Sequence, residues 1–315
     1  MQNLKETARS AQLLRFPLKL PLLFLIYIND LPNAVPSLNT ILFADDSTFY
    51  SSHNDIYSLT NNVNRELQGI NDWVTANKLT LNASKTHFMI FHRHKKFTYP
   101  IPPLRLDNNI LEEVTSTKFL GVTIQQQLYW HLHIKHTTQK IAKQCGIMYI
   151  TREFLNEKSL LLLYYTLIYP NLLYCQTVWG AASSEALNPL VVIQKRAIRT
   201  IGGLNKFAHT AETFHRLKIL KLVDVNRIVC ATFMYKCLNG LLPNTFNFTT
   251  GNNQIFNMRN NLNVRLPLMH STQSHTNIRY HGPTIYNEVP NDIKLKPTLS
   301  SFKNSLKRHL IQSYA

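Results

Sequence analysis

Thr40-Ile41-Leu42-Phe43-Ala44-Asp45-Asp46-Ser47-Thr48-Phe49-Tyr50 decides how this chain is read. An apolar run meets two adjacent carboxylates, and a run rich in β-branched and aromatic residues follows. That is the pattern of a strand, a tight turn and a returning strand. Asp is ordinary at such a turn, because it bonds its own backbone and tolerates turn dihedrals. Taken alone, the stretch is a structural hairpin.

Three further blocks change that weighing. Pro21-Leu22-Leu23-Phe24-Leu25-Ile26-Tyr27-Ile28-Asn29-Asp30-Leu31-Pro32 lies upstream, and Leu81 to Phe91 (LNASKTHFMIF) and Thr117 to Ile124 (TKFLGVTI) lie downstream. In this order and at these distances the four blocks resemble the reverse transcriptases of non-LTR (LINE-like) retrotransposons. The first resembles the tail of that family's motif B, the acidic stretch its metal-binding motif C, and the last two its motifs D and E. The resemblance runs from about Leu20 to the C-terminus.

The resemblance implies an α+β fold: a partial polymerase palm over residues 20–128, a helical thumb-like region over 129–243, and a tail over 244–315. Residues 1–19 are expected to be unrelated or disordered. It also implies RNA-directed DNA polymerisation, with an RNA template, a DNA primer and deoxynucleoside triphosphates as partners. Such chemistry uses two Mg²⁺ ions about 4 Å apart. Magnesium takes hard oxygen ligands and keeps several waters, so a few carboxylates on a rigid hairpin suit it. By resemblance, Asp45 is the direct ligand of Mg²⁺ (or Mn²⁺), Asp46 tunes the site or binds weakly, and Lys85 sits near the nucleotide's phosphates. The bland reading of Lys85 is a solvated loop lysine.

Two departures bear on activity. The Gln-Gly pair that opens motif B in the family corresponds here to Arg15 and Phe16. The fingers and motif A, which carries the other metal-binding aspartate, find no counterpart in Met1 to Lys19. The sequence therefore predicts a truncated polymerase, inactive alone.

Bulk properties agree with a polyanionic partner. Lys plus Arg number 34 against 17 Asp plus Glu, a formal charge of +17. Such an excess favours nucleic acid or an anionic membrane surface, and its spread along the chain suits a long binding surface. Cys145, Cys175, Cys230 and Cys237 show neither zinc nor disulfide spacing, which suggests buried free thiols in a reducing, intracellular compartment, nucleus or cytoplasm. The run Leu20 to Ile28 is too short to cross a bilayer. A buried helix segment ending at the Pro32 turn fits it better than a signal peptide.

Periodicity supplies the remaining elements. Asn54-Asp55 can cap a helix to about Ala76 with a core stripe through Ile56, Leu59, Val63, Leu67, Ile70 and Trp73. Thr86 to His92 reads as a strand, and Phe119 to Ile124 as a short strand whose central glycine marks a bulge or close backbone approach, where the family resemblance implies a primer-gripping hairpin. Helices are predicted at His133 to Ile150, at Glu157 to Tyr174 with an interruption at Pro170, and from Asn188 with Pro189 in its first turn to Gly202-Gly203. On the last, Leu190, Ile193, Ala197, Ile198 and Ile201 form one face, and Lys195, Arg196 and Arg199 the other, a phosphate contact or a solvated face. Further helices are expected at Thr210 to Leu220 and Asp224 to Leu238, loops and short strands over 244–299, and a last amphipathic helix with Phe302, Leu306 and Leu310 inward. Two other functions stay open: a catalytically dead nucleic-acid-binding remnant, and a secreted or membrane-surface basic protein.

Overall fold

The computed structural model describes residues 19–92, 101–107, 109–243, 245, 246, 248, 262–269 and 271–314. It folds the acidic stretch as the predicted hairpin. Asn39–Phe43 (β1) pairs antiparallel with Asp46–Tyr50 (β2), Phe43 opposite Asp46, so that Ala44 and Asp45 make the turn. Ala44 takes a left-handed φ of 51°, the kind of dihedral that lets a two-residue loop follow the twist of its strands. Alternation then sorts the side chains. Thr40, Leu42 and Phe49 are half-buried, whereas Ile41, Phe43 and Tyr50 lie on the exposed face.

The chain divides into two compact units between Ser116 and Thr117, and both helix and small sheets contribute, an α+β architecture. In the first unit, Lys19–Ile28 forms α1 and Ile56–Ala76 forms α2. The Asp55 carboxylate caps α2 by accepting the Ser58 N–H at 2.7 Å. Leu67, Ile70 and Val74 of α2 build a core with Val35, Leu38, Leu104, Leu106 and Leu111, and Phe49 of the hairpin packs on it.

Gly69, inside α2, is explained by a neighbour. A Cβ there would lie 2.4 Å from the Ala34 carbonyl oxygen, in the 3₁₀ turn Leu31–Ala34. Gly69→Ala should therefore destabilise the unit by about 1–3 kcal/mol, although alanine favours helix by about 1 kcal/mol. Urea denaturation checks this; a raised midpoint would contradict it.

Two expectations for this unit are corrected. The helix at α1 exists but is not buried: Leu22, Leu23, Leu25 and Ile26 are 49–67% exposed, and Ile28 alone among its described side chains is buried. The helix's own apolar residues fall on all its sides, and the unit holds it through Tyr27, whose hydroxyl donates to the Asn77 carbonyl and whose ring meets Trp73 edge-on. The strand expected over Thr86 to His92 shrinks to His87–Phe88 (β3). Arg105–Leu106 (β4) and Asn109–Ile110 (β5) pair with each other, and β3 pairs in parallel with the two-residue Glu112–Glu113 (β6). The basic residues Arg93 to Lys96 lie outside the described residues.

The second unit opens on another hairpin. The single strand expected at Phe119 to Ile124 is two, Ser116–Phe119 (β7) and Val122–Gln125 (β8), because Leu120 and Gly121 turn the chain at φ 44° and 83°. The Tyr174 hydroxyl holds that turn by donating to the Leu120 carbonyl at 2.5 Å.

Helices follow: His131–Thr151 (α3), Glu157–Leu163 (α4), Tyr169–Leu173 (α5), Gln176–Trp179 (α6), Ser184–Ile201 (α7), Ala211–Arg216 (α8) and Leu222–Leu238 (α9). The interruption foreseen at Pro170 is a π-turn over Tyr164–Ile168, just ahead of the residue that lacks an N–H. The start of α7 is also corrected. Ser183, not Asn188, is the cap, accepting the Ala186 N–H at 3.2 Å, and Pro189 sits one turn in, on the exposed side.

The region predicted as loops and short strands is non-helical over the described residues 262–269 but carries three helices beyond them, Thr272–His275 (α10), Ile278–Glu288 (α11) and Asn291–Lys294 (α12), followed by the expected Leu299–Gln312 (α13). Its Asn and Thr residues misled because some serve as caps: Asn277 accepts the Arg279 N–H, and Thr298 the Ser301 N–H. One core joins α3, α4, α7 and the chain around Trp179. A second joins α9, α11 and α13, with Phe302 fully buried. The thiols of Cys145 and Cys230 are buried in these cores, which pushes them up to about 11 and about 12. No helix among the described residues is long and apolar enough to cross a membrane.

Two imidazoles give this unit a pH dependence. Burial holds His133 below its ordinary pKa of 6.5, helped by nearby His136, and its Nδ1 accepts the Thr123 N–H at 3.3 Å. Burial also lowers His281 against the pull of Glu288. A depressed pKa adds stability that is complete above the unfolded value and is lost as pH falls through the folded one. Melting should thus be lower at about pH 5.5 than at about pH 7.5, with the difference reduced by His133→Gln plus His281→Asn. Coincident melts for the native chain would contradict this.

Candidate metal-binding hairpin and basic helix face

The β1–β2 ladder fixes where the two carboxylates stand. Asp45 occupies the second turn position, and Asp46 the first residue of β2, across from Phe43. Both are exposed, and neither makes an ion pair or a side-chain hydrogen bond within the described residues. Their oxygens thus have no partner among the described residues, and carboxylate oxygens are a donor set suited to a hard divalent cation. Among the described residues no group of three or more His, Cys, Asp or Glu side chains converges as a metal cage.

Lys85 ends the 3₁₀ turn Ala83–Lys85, exposed, with its N–H on the Asn82 carbonyl at 3.0 Å. No ion pair or hydrogen bond joins its ammonium to Asp45 or Asp46. The hairpin alone brings the two aspartates together, by sequence adjacency.

On α7 the predicted face separation is observed. Leu190, Ile193, Ala197, Ile198 and Ile201 are buried, and Lys195 and Arg196 are exposed. Arg199 differs from its two neighbours. It is half-buried, and its Nε donates to the Ala208 carbonyl at 2.9 Å, so part of its guanidinium is already engaged. Sequence reasoning passed over what that bond secures: the turn holding Lys206 and Phe207, whose ring is 86% exposed. A lysine-aromatic pair two residues beyond a Gly-Gly helix stop was the available signal.

Residues 18–124 match the family model for reverse transcriptase (RNA-dependent DNA polymerase). The RNA-directed DNA polymerase from mobile element jockey of Drosophila melanogaster is 23% identical over 225 residues, which cover 68% of this chain and 24% of that protein. Its Drosophila funebris counterpart is 24% identical over 223 residues, with the same coverage. The probable RNA-directed DNA polymerase from transposon BS of Drosophila melanogaster is 28% identical over 194 residues, covering 58% of this chain and 21% of that one. The chain thus spans about a quarter of the length of these relatives. No solved structure matches it at a significant level. The segment that carries the acidic hairpin is thus similar to reverse transcriptases, among them the RNA-directed DNA polymerases named for the mobile elements jockey and BS.

Proposed function

We propose that residues 20–128 are the metal-holding part of a reverse-transcriptase palm, and that the helical region beyond supplies a thumb-like surface and tail for nucleic acid. The observation that carries this reading is the hairpin tip. Two exposed carboxylates, without partners among the described residues, stand on a paired ladder inside the segment that matches the family model.

Reverse transcriptases use divalent metal ions, and Asp45 would hold Mg²⁺, or Mn²⁺ in its place, with Asp46 as the weaker partner. When bound, such an ion supplies positive charge at the reacting phosphate oxygens. The chain's own part is positional: the ladder keeps the carboxylates at a fixed site without ordering a loop on binding. Lys85 offers a compact, mobile charge for the phosphates of a deoxynucleoside triphosphate. Lys195 and Arg196 face solvent from a helix locked in the core, placed to neutralise the phosphates of an RNA template or DNA primer.

A second reading, nucleic-acid binding without polymerisation by this chain alone, is favoured by the acidic site's composition. Two-metal transfer needs more ligands than two adjacent carboxylates, and the described residues bring no third to the hairpin. Misplacing a reacting atom by about 1 Å can cost about a hundredfold. In primer extension on an RNA template, neither the native chain nor Asp45→Asn should therefore add nucleotides with Mg²⁺ or Mn²⁺, while both bind RNA in a salt-sensitive manner. Extension that Asp45→Asn abolishes would make this chain a polymerase in its own right. Failure to bind nucleic acid would sink both readings.

A further inference from the structure

We infer that the turn Asn205–Ala208 is a base-stacking element for single-stranded nucleic acid, with Phe207 as the platform and Arg199 as the residue that positions it. This rests on the proposed nucleic-acid role of the α7 face and adds to it the form of the strand and the residue that reads it.

The turn is ordered by three bonds. Gly203, at φ 62°, ends α7 and lets the Leu204 N–H return to the Arg199 carbonyl at 2.9 Å. The Ala208 N–H then closes a four-residue turn on the Asn205 carbonyl at 3.1 Å. Finally, the Arg199 Nε donates to the Ala208 carbonyl at 2.9 Å and ties the turn to the helix. The backbone under Phe207 is thus fixed before any ligand arrives.

What this fixed turn displays is unusual. Turn positions favour Gly, Asn, Asp, Ser and Pro, yet this one presents an aromatic ring to water, and no described aromatic residue is more exposed. The ring belongs to neither core of the unit. Its neighbour is cationic: the Lys206 Nζ lies 5.5 Å from the ring centroid. Lys195 precedes Arg199 by one helical turn, so the exposed charges of α7 lead toward the loop. An aromatic platform beside a basic track is the combination that holds unpaired strands, because every base offers a face to stack on and every nucleotide a phosphate to neutralise. Bases within a duplex are already stacked, and only its phosphates would be met. A protein ligand for the ring would make no use of the flanking charges, and the observations favour the strand.

The test compares binding of a short single-stranded RNA with a duplex of the same length, by fluorescence anisotropy on the full chain. Phe207→Ala should weaken single-strand binding about tenfold and leave duplex binding unchanged. Phe207→Trp should restore it, with indole fluorescence quenched on binding. Arg199→Gln should act like Phe207→Ala, with the salt slope kept. Lys195→Ala plus Arg196→Ala should weaken both ligands and flatten the single-strand slope by about 1.4. A native chain that binds RNA through Lys195 and Arg196 but is indifferent to Phe207→Ala would overturn this inference alone. Equal losses on both ligands would do the same, by making the ring a structural element. A native chain that binds neither ligand would overturn the proposed function as well.

Discussion

Gly180→Val should destabilise the helical unit by about 4 kcal/mol and lower its melting temperature by about 10 °C. The backbone dihedrals are not the reason, since Gly180 has an ordinary φ of −69°. The reason is space beside a buried polar network. A Cβ at this position would lie 2.1 Å from Gln176 Oε1 and 2.2 Å from Asn226 Nδ2. Both side chains are buried, Gln176 at 1% exposure. The Asn226 amide donates to the Gln176 carbonyl at 3.1 Å, the Gln176 amide to the Leu172 carbonyl, and the Asn226 Oδ1 meets the His281 imidazole at 2.8 Å. Room for a side chain requires the pair to part. Each buried group left without a partner costs about 1–3 kcal/mol, and overpacking adds a similar amount. Gly180→Ala should act in the same direction by less. Thermal melts followed by circular dichroism decide it, and a midpoint for Gly180→Val within about a degree of native would show that the network does not hold α6, α9 and α11 together.

The same network shows where sequence reading stops. Gln176, Asn226 and His281 are scattered polar residues in the sequence, and nothing in their spacing says that they meet. By contrast, the hairpin was legible because an alternating run flanks a turn residue. The α2 cap and stripe were legible because Asp55 and the apolar spacing agree. The inward residues of α7 and α13 were legible because burial follows helical period. Errors came from tertiary context. An apolar run at α1 suggested burial, but burial needs a covering element that periodicity does not report. The Pro189 start of α7 was displaced by a serine cap one turn earlier. Asn and Thr in the last region were read as loop residues when several cap helices. At the candidate site, Asp45 and Asp46 were found through their neighbours in sequence. The role of Arg199 was not, since its partner carbonyl at Ala208 is set by the turn of the chain and not by any side-chain pattern.

The exposed pair at the hairpin tip is the centre of the functional account, and it can be tested without catalysis. Electron paramagnetic resonance of free Mn²⁺ reports binding directly, because the ion's signal is lost as it is taken up. The native chain should bind Mn²⁺ weakly, in competition with Mg²⁺, as expected for carboxylate oxygens with retained waters. Asp45→Asn should weaken that binding by about tenfold or more, and Asp46→Asn by less, since the amide keeps shape but loses the charge the cation requires. Both carboxylates are exposed at the turn and make no ion pair among the described residues, so neither substitution should alter the circular dichroism melt. Loss of the Mn²⁺ site in a folded Asp45→Asn chain is the result expected here. Undiminished Mn²⁺ binding by the Asp45→Asn plus Asp46→Asn double variant would contradict the account at its centre, leaving the hairpin a structural turn.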